Sequence, residues 1–156
     1  MDLRTRVNAA LKQAMKDKAP ERVSTLRLIN AAIKDRDIAA RAEGQDEGVA
    51  DAEVLKILAR MVKQRQESTR AYEEAGRLDL AEREQSEIAI IEEFLPRQLS
   101  DREVEKAVDE AIEETGAASI RDMGRVMGVL KGNYAGRMDF GTVGPMVKER
   151  LGAGPV

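Results

Sequence analysis

A chain of 156 residues has room for one domain or two small ones, and this one is 35% charged, 3% aromatic and net −3. It has no cysteine, which excludes disulfides and Cys-based zinc sites, and no histidine, which removes the commonest general base and metal ligand. The bias toward Ala, Glu, Arg, Lys and Leu favours helices, and no apolar run approaches the ~20 residues that span a bilayer.

The opening MDLRTRVNAALKQAMK lacks the long apolar core of a signal peptide. It reads instead as a mature amphipathic helix with Leu3, Val7, Leu11 and Met15 on one stripe, in a protein expected to be soluble and cytoplasmic. Asp17 to Pro20 stops it, and Pro20 suits the first turn of a second helix carrying Val23, Leu26, Ile29 and Ile33. Gly44 and Gly48 bracket an exposed loop at about 43–49. Asp51 is expected to cap a third helix with Val54, Leu58, Met61 and Arg65 on one face, ended by Gly76. Asp79 and Glu82 form a capping box for a fourth helix over 80–94, broken by Pro96.

Residues 96–99 are then a hinge between an N-terminal domain, 1–95, and a C-terminal domain, 100–156. Ser100 and Glu103 make a second capping box with Leu99 and Val104 as its hydrophobic staple, and Gly116 ends that helix. Ser119 with Asp122 starts the next, with Met123, Val126, Met127 and Leu130 inward, and residues 132–136 read as a turn. Asp139 caps a last helix in which Pro145 demands a kink or a start near Gly144. The tail 152–156 is expected to fray. With no period-two strand anywhere, the fold class is all-α: about four helices, then a small three-helix bundle.

The stretch 119–151 is unlike the rest. Gly124, Gly128, Gly132 and Gly136 recur at four-residue spacing, although glycine inside a helix costs up to ~1 kcal/mol against alanine. Such spacing implies close approach of the backbone to another helix or to a phosphate or sugar, with helix packing the preferred reading. Residues 116–156 also carry +3, from Arg121, Arg125, Lys131, Arg137, Lys148 and Arg150 against three acids, which leaves −6 for the remainder. The last two cations are read as serving a helix C-terminus.

MGRVMGVLKGNYAGRMDFGTVGPMVKERL resembles the C-terminal signature of the GatB/YqeY family, and IAIIEEFLPRQLS its central one. The lead-in AYEEAGRLDLAEREQSE fits the same family, so the likeness covers nearly the whole chain. The resemblance is to a stand-alone YqeY-type protein, similar to the tail of the GatB component of the tRNA-dependent amidotransferase. There the tail helps to hold the tRNA, while the chemistry lies in other domains and subunits. An amidotransferase or carbon–nitrogen ligase label would be inherited from those relatives.

The residues themselves argue against catalysis. No Walker phosphate cradle occurs, and Ser24, Ser68, Ser86, Ser100 and Ser119 fall on helix faces or at caps. The pairs Glu73-Glu74, Glu92-Glu93 and Glu113-Glu114 read as solvated helix faces, with Glu92-Glu93 suiting an interdomain ion pair. No catalytic residue, metal or cofactor is expected. Four aromatics are too few for base reading. Phosphate contact from Lys131 and Arg137 is the more natural mode, with Tyr134 at the tip of their turn and Arg125 and Arg121 extending the patch. The expected function is a non-catalytic adaptor for tRNA. The rival is a protein-interaction module that docks on a tRNA synthetase or another partner through its glycine-lined helix.

Overall fold

The computed structural model describes residues 2–152, in two compact units, Met1–Pro96 and Arg97–Val156. Among the described residues the regular structure is entirely helical, as the composition and periodicity require. The first unit holds α1 (Leu3–Lys16), α2 (Pro20–Ala42), α3 (Asp51–Glu74) and α4 (Leu78–Glu92). The hairpins α1–α2 and α3–α4 pack together chiefly through α2 and α4. Val7, Leu26, Ile29, Ile33, Val54, Leu58 and Ile91 lose essentially all solvent contact in its core. Burial of each such side chain is worth about 1.5–3 kcal/mol.

Helix ends follow from local chemistry. Asp2 caps α1 through the Thr5 amide at 2.7 Å, and Pro20 opens α2 where a missing N–H costs nothing. Gly76, at φ 73°, follows the C-cap of α3. Two expected caps are not made. Ala50 occupies the N-cap of α3, and Asp51 in its first turn accepts instead from the Leu3 amide at 3.2 Å. Likewise α4 starts at Leu78 after Arg77, with no side-chain cap; Asp79 is drawn to the Arg77 guanidinium at 3.3 Å and the expected box with Glu82 is absent.

The second unit holds α5 (Asp101–Thr115), a 3-10 turn (Ile120–Asp122), α6 (Met123–Tyr134) and α7 (Phe140–Gly152). Ser100 and Glu103 exchange both hydrogen bonds of the capping box, and Gly116, at φ 66°, ends α5. Val108, Val126, Leu130, Val143 and Val147 form the core. The turn expected at 132–136 lies later, because α6 continues through Gly132 to Tyr134 and the chain reverses only from Ala135. Helix α7 does not begin near Gly144. It runs unbroken from Phe140 past Pro145, its first turn held by Asp139, which accepts from the Gly141 amide at 2.9 Å and the Thr142 hydroxyl at 3.0 Å. The expected fraying beyond Gly152 lies outside the described residues.

Candidate functional site

The site candidates all lie in the second unit: Arg121 on the 3-10 turn before α6, the others on α6 and the turn behind it. A helix turns about 100° per residue, so Gly124, Gly128, Gly132 and the adjoining Lys131 share the face opposite Val126 and Leu130. All four are exposed. A Cβ placed on any of the three glycines would meet nothing within 4 Å. Helix packing, the preferred reading of this spacing, does not hold within the second unit: there the small residues line an open face. The inward stripe of α6 needs no glycine because Met123, Val126, Met127 and Leu130 supply it.

The cations divide by what holds them. Arg121 and Lys131 are exposed and make no side-chain hydrogen bond or ion pair among the described residues. Arg125 binds Asp122 at 2.6 Å but stays 61% exposed. The Asp122 carboxyl lies below its usual range because the Ala118 amide and then Arg125 donate to it. Arg150 is committed to Asp109 on α5, so it bridges α7 to α5 and is not part of the exposed patch.

Arg137 is the most constrained. Its Nε donates to the Arg97 carbonyl at 3.0 Å, and its guanidinium carbon lies 5.7 Å from the centre of the Tyr134 ring. Tyr134 is thus half-buried beneath an arginine and packed on the core, instead of standing free at a tip. The terminal nitrogens of Arg137 have no partner among the described residues. Gly136, at φ 75°, lets the chain reverse here.

A short strap holds this turn. Gln98 Nε2 donates to the Gly136 carbonyl at 2.6 Å, and the Leu99 amide donates to the Arg137 carbonyl at 2.9 Å. Arg97 in turn grips Glu103 through two bonds, at 3.0 and 2.9 Å, which pulls that carboxyl from its ordinary value down to about 2. Residues 97–99, read from sequence as hinge, are therefore bound into the second unit. Only their polar side chains and the carbonyls near Gly136 could have signalled it, and neither carries a periodic pattern.

The first unit holds a second feature that sequence reasoning missed. Arg4 forms two bonds to Asp37, at 2.7 and 3.0 Å, and a third to the Val49 carbonyl at 3.1 Å. Asp37 also accepts from the Val49 amide at 2.9 Å. A Cβ at Gly48 would come within 2.7 Å of the Arg4 guanidinium. The signal was present: Asp37 falls four residues after Ile33, a charge in the register of the buried stripe. The Glu92-Glu93 pair also resolves differently from the interdomain bridge expected. Glu93 is bound by Arg22 of its own unit, at 2.5 and 2.9 Å.

Among the described residues no group of acidic side chains is arranged to hold a metal ion, and no helix is long and apolar enough to cross a membrane. What these observations define is a helical protein with a cation-bearing, glycine-faced tail. A family model described as Yqey-like protein matches residues 4–151, and the chain belongs to that family. It is similar to an uncharacterized protein of Schizosaccharomyces pombe, 28% identical over 99 residues that cover 64% of this chain and 76% of the relative. It is also similar to altered inheritance of mitochondria protein 41, mitochondrial, from two fungi. The Pyrenophora tritici-repentis protein is 28% identical over 154 residues, 95% of this chain and 80% of the relative. The Clavispora lusitaniae protein is 33% identical over 109 residues, 69% and 61%.

Proposed function

We propose that this Yqey-like protein is a non-catalytic helical adaptor that grips the phosphates of a structured RNA, tRNA first among them, in the cytoplasm. The observation that carries the reading is the arrangement of Arg137. Its stem is fixed by the Arg97 carbonyl and the Tyr134 ring, while its terminal nitrogens stay open. A guanidinium held in this way loses little freedom on binding and presents the fork that suits a phosphate. Lys131 and Arg121 add exposed charge, and bare glycine backbone beside them lets a sugar–phosphate strand come close. The likeness to an amidotransferase tail that holds tRNA supports the same assignment.

Fluorescence anisotropy with total tRNA tests it. Two to four neutralised phosphates give a log–log salt slope of roughly −1.5 to −3.5 and affinity on the order of micromolar. Because Arg137 also supports its own turn, Arg121→Glu with Lys131→Glu is the cleaner loss of charge, and it should abolish binding at unchanged helicity. Arg137→Lys keeps the charge, loses the fork and should weaken binding severalfold. Undiminished binding by the Arg121/Lys131 double variant refutes the assignment. The empty space over Gly124, Gly128 and Gly132 favours one other reading, docking of a synthetase or other partner helix on that face.

A further inference from the structure

The left-handed backbone positions among the described residues are Lys18, Gly44, Gly76, Gly116 and Gly136. Four carry the residue this conformation favours, and one does not. Lys18, at φ 54°, sits just past the end of α1, where the Ala19 amide reaches the Ala14 carbonyl at 3.1 Å and the Lys18 amide reaches that of Met15 at 3.3 Å. This double bond pattern ordinarily enlists glycine, because a Cβ there is strained. Strain of this kind persists where something else compensates for it, and it points toward function.

The lysine side chain lines an open groove of about 620 Å³ shared with Pro20, Val23, Ser24, Arg27 and Leu28. Leu28 leaves 45% of its surface exposed there. Its charged members are Lys18 and Arg27, and no acid lines the groove. Neither cation makes a side-chain hydrogen bond or ion pair among the described residues. Arg22, on the same helix as Arg27, is by contrast committed to Glu93. An apolar lining with two uncommitted cations, in a protein whose net charge is negative, is complementary to one kind of occupant. It offers a nucleic acid no ring to stack on and no run of phosphate contacts.

We propose that this groove receives an acidic amphipathic segment of a partner protein. Its apolar side chains seat on Pro20, Val23 and Leu28, and its flanking carboxylates pair with Lys18 and Arg27. The surface lies in the first unit, so it stands independently of the RNA reading.

The test uses the full chain, labelled for amide NMR, and two probes: the acidic peptide acetyl-Asp-Glu-Leu-Phe-Glu-Asp-Leu-Leu-amide, and its counterpart with lysine for every acid. The acidic peptide should shift the amide signals of residues 18–28, and the lysine peptide should not. Arg27→Glu should weaken the acidic peptide about tenfold, by loss of a rim charge and gain of a repulsive one. Lys18→Gly, which keeps and relaxes the turn, should weaken it about threefold. Equal response to both peptides, shifts that avoid residues 18–28, or affinities untouched by both variants would overturn the proposal. So would concentration-dependent shifts of the same signals without peptide, which would make a second copy of the chain the occupant.

Discussion

Gly128→Ala separates the two things a glycine face can mean. The residue lies in the middle of α6 and is exposed, and an added Cβ meets no atom within 4 Å. Its backbone is not left-handed. The methyl group therefore has no steric cost, and the helix gains the propensity difference, about 1 kcal/mol. Gly124 and Gly132 stand nearer the helix ends, where alanine gains about half as much, so the triple alanine variant should gain about 2 kcal/mol. At roughly 4–8 °C per kcal/mol for a domain of this size, the single change should raise the Tm of the second unit by several degrees. Circular dichroism melting with amide exchange along α6 reads that gain and locates it. The same methyl groups stand between the helix axis and any RNA backbone, so tRNA affinity should fall while stability rises. A fall in Tm for Gly128→Ala would mean that the face is covered after all and would refute the open-face reasoning. A higher Tm with unchanged affinity would remove the glycines from the interface.

Lys18→Gly should stabilise the first unit by about 1 kcal/mol in chemical denaturation, because the left-handed position no longer carries a Cβ. Asp37→Ala should cost about 2 kcal/mol, since it removes charge-assisted bonds to Arg4 and the Val49 amide, and amide exchange at Val49 should quicken. The folded Glu103 carboxyl, at about 2 against 4.5, binds its proton more weakly than the unfolded one. Its stabilising effect is therefore complete above pH 4.5 and drains away as pH falls toward 2. In Glu103→Gln that part of the acid limb should be missing from a Tm–pH profile. Finally, a fragment starting at Arg97 should be helical and outlast one starting at Ser100 by about 2–3 kcal/mol in urea, because the shorter piece lacks three strap bonds.

Sequence alone determined the helical class, the inward stripes and the cleanest ends, because these depend on interactions within about four residues. Leu26, Ile29 and Ile33 declare their burial by spacing, and Ser100 with Glu103, Gly76 and Gly116 declare their caps by residue type. Asp51 and Asp79 obey the same local rules and still do not cap their helices. Each found a competing partner, the Leu3 amide for one and Arg77 for the other, and a cap is lost whenever the side chain is better bound elsewhere. Only tertiary structure could decide whether the glycine face of α6 is covered within its unit, since a glycine stripe fits a packed neighbour and an open surface equally well. It also decided the state of Arg137. The Arg97 carbonyl that pins it is forty residues away, and no periodicity in a sequence encodes a hydrogen bond to a main-chain oxygen at that separation.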